Sequence, residues 1–196
     1  MHDESRRVFL SASIPLPGRH PKYLETADPV AVRDAVRALT IVIAQGDLEL
    51  VFGGHPAITP MVRLQLLAAG KRPGDQFVVY QSAYFKSEYP DDNESFERVI
   101  EVDSVEQSLE KSISAMRNAM MAGDFCCGIF IGGMDGVESE YSMFRERHPD
   151  VPAFPVGSTG AGAAFILARE EATRPYYDRL KSDYRYLSLM RELLRR

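Results

Sequence analysis

The feature that most constrains this chain is a regular alternation of two kinds of segment. Short runs rich in β-branched and aromatic residues are Val8–Ser13, Leu48–Phe52, Phe77–Gln81, Arg98–Val102, Cys126–Ile131 and Ala153–Val156. Between them lie stretches of helical period. Pro29–Gln45 carries Val32, Val36, Leu39 and Ile43 at steps of three and four, the spacing of one helix face. Asp28 predicts an N-cap with Pro29 at the first helical position, and Gly46 predicts the C-cap. Thr59–Ala69, Val105–Ala122, Gly136–Arg147 and Gly160–Glu170 read as further helices. Strands that alternate with helices make βαβ units. The predicted fold class is therefore α/β, a doubly wound, mostly parallel Rossmann-like sheet with helices on both faces. Cys126–Ile131 is apolar in both phases, which predicts the centre of the sheet.

Two segments stand outside the alternation. Ser82–Phe96 is polar and reads as an exposed loop with an acidic cluster. Tyr176–Arg196 repeats Leu180, Tyr184, Leu187, Met190 and Leu194 at steps of three and four. It is expected as one amphipathic helix, packed on the domain of residues 1–175 or on a dimer partner.

Composition narrows the function classes. With 45% hydrophobic and 26% charged residues, the chain is globular rather than disordered. A net charge of −5 argues against a partner gripped through many phosphates, so nucleic acid is not the expected partner. No apolar run is long enough to span a bilayer, and the polar start MHDESRR has no apolar stretch behind it. The expectation is a cytoplasmic protein without membrane partner. The only cysteines, Cys126 and Cys127, are adjacent, so they close no ordinary disulfide loop and make no metal cage. No metal is expected.

In an open α/β sheet, ligands bind beyond the carboxyl ends of the strands, at a topological switch point. The residues that follow the strands are Ser11 to Ser13, Gly53-Gly54-His55 with Thr59, Gln81-Ser82, Gly132-Gly133-Met134-Asp135-Gly136 and Ser158-Thr159-Gly160. Any one such turn is ordinary strand-to-helix chemistry. Glycine and small hydroxyl residues before four helices, at one sheet edge, point to a ligand site. Glycine admits close approach of a ligand, and helix N-termini hold anions without lysine. Phosphate is expected on the Gly132-Gly133 turn and the helix start at Gly136. No GK[ST] and no early G-x-G-x-x-G is present, so neither a P-loop nor ordinary NAD binding is expected, and no cofactor is called for. Glu138 and Glu140 fall in the first turn after the glycines. They point about 200° apart on a helix, so only one can face a pocket. Asp135 reads either as an N-cap or as an acceptor for ribose hydroxyls.

Taken in order, VFLSAS, VFGGHPAITPMV and FIGGMDGVESEY resemble the SLOG superfamily. That group includes the lonely-guy (LOG) phosphoribohydrolases and the Smf/DprA-like proteins. The resemblance covers roughly Val8 to Leu167. The second segment is similar to a GGxxGxM turn and the third to a PGGxGTxxE signature. Ile131 stands where the signature has proline, Val137 where it has threonine, and Met134-Asp135 adds one residue. With that insertion Glu140 falls on the signature glutamate. Arg117, in SAMRNAM, falls near the arginine that the hydrolases use. The resemblance to divergent SLOG families of bacterial conflict and signalling systems implies a homodimer that senses a nucleotide or nucleotide-derived molecule. The LOG branch implies instead hydrolysis of the N-glycosidic bond of a nucleoside 5′-monophosphate, with Glu140 (or Glu138) and Arg117 catalytic. The Smf/DprA branch implies single-stranded DNA, which the acidic balance disfavours.

Overall fold

A computed structural model describes residues 6–18 and 21–195. Most of the polar start and Arg196, the end of the expected last helix, lie outside the described residues. Asp28 accepts a hydrogen bond from the Ala31 N–H at 2.9 Å and Pro29 opens the first long helix. Both observations match the capping expected from the sequence. The elements in chain order are β1 (Arg7–Ser13), α1 (Pro21–Leu24), α2 (Pro29–Gln45), β2 (Glu49–Gly53), α3 (Ile58–Ala68), β3 (Phe77–Ser82), β4 (Arg98–Val102), α4 (Leu109–Met120), β5 (Cys127–Gly132), α5 (Asp135–Arg147), β6 (Ala153–Val156), α6 (Ala161–Leu167), α7 (Tyr177–Ser182) and α8 (Tyr186–Leu193).

The described strands form one sheet of order β4-β3-β2-β1-β5-β6, and every neighbouring pair is parallel. The chain runs outward from β1 to β4, then crosses to the other side of β1 to make β5 and β6. This is the α/β, Rossmann-like architecture, and its switch point lies between β1 and β5. β5 is interior and fully buried, but it stands one place from the β6 edge rather than at the centre. Apolarity in both phases reports burial on both faces, and any interior strand satisfies it.

Alternate residues of the interior strands enter two separate cores. Leu10, Phe52, Val79 and Ile129 pack with α2, α3 and α8 on one face. Phe9, Val51, Val78 and Phe130 pack with α4 and α5 on the other. The second core centres on aromatic rings. Phe144 of α5 is 0% exposed. It stacks on Phe9 at 5.3 Å and meets Phe125 and Phe130 edge-on. Each such pair adds about 0.5–1.5 kcal/mol beyond burial, so α5 is braced one turn after Glu140.

Two peripheral segments differ from expectation. Ser82–Phe96 is not simply solvated. It folds into 3₁₀ turns at Ala83–Glu88 and Asp91–Ser95, buries Asn93 and Phe96, and is tied to α3 by Arg63, which bonds Asp92 and Ser95. The single helix expected over Tyr176–Arg196 is two, α7 and α8, broken at Asp183 to Arg185. The Asp183 carboxylate accepts the Arg185 N–H and both the Arg179 and Arg185 guanidinium groups. A short acidic side chain that bonds its own backbone competes with the helix. After the break the buried set becomes Tyr186, Leu189, Met190 and Leu193, and α8 lies along α2 of its own domain. Among the described residues no helix is long and apolar enough to cross a membrane.

Candidate functional site

β1 ends in Ser11, Ala12 and Ser13, and parallel pairing sets Ser13 beside Gly132 at the end of β5. The crevice beyond these two strand ends is an open cleft of about 310 Å³, within the size range of small-molecule sites. Its wall is formed by Ser11 and Ser13 of β1, by Gly53 at the end of β2 with Gly54 and His55 after it, by Arg117 of α4, and by Met134, Asp135, Gly136 and Glu140 at the start of α5. Ten residues singled out in the sequence thus meet in one cavity. Leu10, Ala12, Phe52, Ile58, Ile113, Met116 and Val137 complete it. Ile113 and Met116 share the helix face of Arg117 by their spacing, a signal that reads equally as a core face.

Glu140 is the focus of the polar wall. Its Oε1 accepts from Arg117 Nε at 3.0 Å and its Oε2 accepts from Ser11 Oγ at 2.5 Å. The two charged side chains are 20% and 16% exposed. Arg117 also reaches the Gly136 carbonyl, at 3.4 Å. Glu138 projects the other way, as a spacing of two requires. It accepts from Tyr23 Oη and from Arg169. Burial works to raise the Glu138 pKa, but the hydrogen bonds from Tyr23 and Arg169 outweigh it and hold the carboxyl below its ordinary value. Burial and the Glu138 carboxylate push the Tyr23 hydroxyl well up, so it stays a proton donor.

The remaining residues singled out in the sequence lie around the cleft rather than in its wall. The N–H groups of Gly132 and Gly133 donate to Thr159 Oγ1 and to the Ser13 carbonyl, both at 2.8 Å. Neither N–H is left for a phosphate on the Gly132-Gly133 turn. The helix start at Gly136, the other half of the expected phosphate site, follows directly in the first turn of α5, where Met134 caps the helix and Asp135 is its first residue. Gly133 has φ +84°, and a Cβ there would overlap Val137, so only glycine fits this turn. Ser158 bonds Tyr186 and the Asp183 carbonyl, Gly160 sits against the Thr26 carbonyl, and Thr59 accepts the His55 N–H. Ser82 accepts the Tyr84 N–H. Gln81 is buried against Gly54, and its Nε2 has no partner among the described residues.

The charge in the wall is sparse. It consists of one guanidinium, Arg117, and the carboxylates of Glu140 and Asp135, with no lysine among the described lining residues. Burial lowers the His55 pKa, so the imidazole adds no positive charge at neutral pH. Among the described residues no cluster of His, Cys, Asp and Glu could hold a metal. A polyanion would meet one guanidinium here, already paired with Glu140, whereas a helix N-terminus can hold a single anionic group without basic side chains.

A family model described as the SLOG cluster3 family matches residues 22–194. The chain belongs to the SLOG cluster3 family. The match takes in the cleft residues that follow β1 and both C-terminal helices, and β1 itself lies ahead of it. No curated protein matches this SLOG chain. The family and the Rossmann-like fold are compatible with nucleotide-related function.

Proposed function

We propose that this SLOG protein binds a nucleotide or nucleotide-derived small molecule in the cleft and acts as a sensor. The observation that carries the reading is the division of the cleft across three adjacent strands. On the β5 side lie the N-terminus of α5, Asp135 and Gly136. On the β2 side lie Gly53, His55, Ile58 and Met116, largely apolar. Ser11, Ser13 and Glu140 stand between them at β1. Strands on either side of a third are about 10 Å apart, a span that a nucleoside monophosphate bridges. The phosphate would rest on the first turn of α5, the ribose hydroxyls on Glu140 and Ser11, and the base between Met116 and His55. The scarcity of cations in the wall favours a single phosphate. Gly132, Gly133, Thr59, Ser158, Thr159 and Gly160 would shape the walls from behind.

The test is calorimetric titration of the purified chain with AMP, GMP, CMP and UMP. Binding of at least one, at one site per chain, is expected, and no heat with any of the four sinks the reading. A second reading is favoured by the Glu140–Arg117 pair in the wall. In a LOG-like hydrolase Glu140 would stabilise positive charge on the ribose or activate water, as carboxylates do in glycoside hydrolysis. Release of free base and ribose 5-phosphate, lost in Glu140→Gln, would replace the sensor with this enzyme. The sensor reading includes a homodimer, for which sedimentation equilibrium should return twice the 22.0 kDa chain mass.

A further inference from the structure

His55 sits in a loop built around it. Its backbone N–H donates to Thr59 Oγ1 at 3.0 Å, and its carbonyl accepts the N–H groups of Ile58 and Thr59, both at 3.0 Å. Its ring is fixed as well. Nδ1 stands 3.1 Å from the Ala57 N–H, which can only donate. Nδ1 therefore carries the lone pair, and the proton of the neutral imidazole must sit on Nε2. His55 lines the cleft, and among the described residues the hydrogen bond to its ring is the one at Nδ1. Protonation of the ring would put a hydrogen on Nδ1 and set it against the Ala57 N–H. The loop thus opposes the imidazolium, in the same direction as burial.

We propose that His55 is a specificity-determining residue whose ring is locked by Ala57 as the Nε2–H tautomer, donating a hydrogen bond to an acceptor on the ligand's base. The inference rests on the nucleotide reading above and deepens it. In this tautomer Nε2 holds a proton and Nδ1 is engaged, so His55 selects rather than abstracts a proton. A base that turns an N–H or amino group toward His55 meets donor against donor and is rejected. Sites built to hydrogen-bond a ligand discriminate more strongly than apolar ones, because the mismatched group is left unpaired.

Two substitutions separate the two nitrogens. The Asn amide oxygen reaches the place of Nδ1, so His55→Asn keeps the bond to Ala57 and removes the Nε2 donor. The Gln amide reaches the place of Nε2, so His55→Gln keeps a donor in the cleft and gives up the bond to Ala57. The probe is whichever of AMP, GMP, CMP and UMP the wild type binds most tightly, titrated by calorimetry. His55→Asn is expected to keep its melting temperature and to bind about 10-fold more weakly. His55→Gln is expected to melt lower yet bind within about 3-fold of wild type. Equal affinity of wild type and His55→Asn overturns this inference and leaves the nucleotide reading standing. No heat from wild type with any of the four overturns both. A ligand-independent check is the ¹⁵N spectrum of the imidazole at neutral pH. A protonated Nε2 with bare Nδ1 supports the lock, and the reverse tautomer overturns it.

Discussion

The ion pair between Arg117 and Glu140 offers a quantitative test of how the cleft is held. Both side chains are mostly buried, at 20% and 16% exposure, and the Glu140 carboxylate is engaged through both oxygens. Hydrogen bonds to charged groups contribute about 1.5–3 kcal/mol, whereas exposed ion pairs contribute about 0–1 kcal/mol. Glu140→Gln leaves the guanidinium facing an amide, and Arg117→Met leaves the carboxylate with Ser11 alone. Each single change is expected to cost about 2 kcal/mol. For a chain of this size that is about 4–8 °C in melting temperature. The double variant should cost less than the sum of the two, because neither partner is then left behind. Urea denaturation followed by circular dichroism gives the four corners of the cycle, with a coupling of about 1–2 kcal/mol expected. Repeating it in high salt should change the coupling little, since screening acts mainly on exposed charges. Additivity of the two single changes, to within about 0.5 kcal/mol, would refute the pair as a built element of the site.

Three further outcomes follow from particular residues. Gly133→Ala should destabilise by about 2–5 kcal/mol, the sum of a left-handed backbone penalty of about 1–2 and overpacking of about 1–3; adding Val137→Ala should restore the steric part in urea melts. Tyr23→Phe removes a buried donor to Glu138. It should cost about 1–3 kcal/mol and speed amide exchange in residues 21–26. Because burial sets the folded-state pKa of His55 below its ordinary 6.5, the unfolded chain binds a proton that the native chain resists. This contribution is fully present above pH 6.5 and is lost as pH falls toward the folded value. Urea midpoints between pH 7.5 and about 5 should therefore decline less steeply in His55→Asn.

Local signals that agree with one another were legible in the sequence. Asp28, Pro29 and Gly46 bracket the same segment that carries the Val32 to Ile43 period, and α2 has those bounds. Ala153–Val156 and Arg98–Val102 are strands over the spans expected. What could not be read depends on partners distant in the chain. The N–H groups of Gly132 and Gly133 look available in the sequence, and only folding brings Thr159 and Ser13 to take them. The C-terminal period continued through Tyr184 on paper, but Asp183 captures local backbone and arginine donors and ends the helix there. The spacing of Glu138 and Glu140 was enough to say that they diverge. It could not say which one faces the cleft, because the order β2-β1-β5 sets which side of α5 overlooks β1.

That divergence makes α5 a helix gripped from opposite sides. Ser11 and Arg117 hold it through Glu140, and Tyr23 and Arg169 hold it through Glu138. A molecule whose hydroxyls replace Ser11 at Glu140 exchanges one grip for another and leaves the second untouched. Only the difference in free energy between the old partner and the new is then available to reorient the helix. A ligand that mimics the Ser11 hydroxyl closely would occupy the cleft in silence, and one that fits it imperfectly would be reported across α5 to the segment around Tyr23.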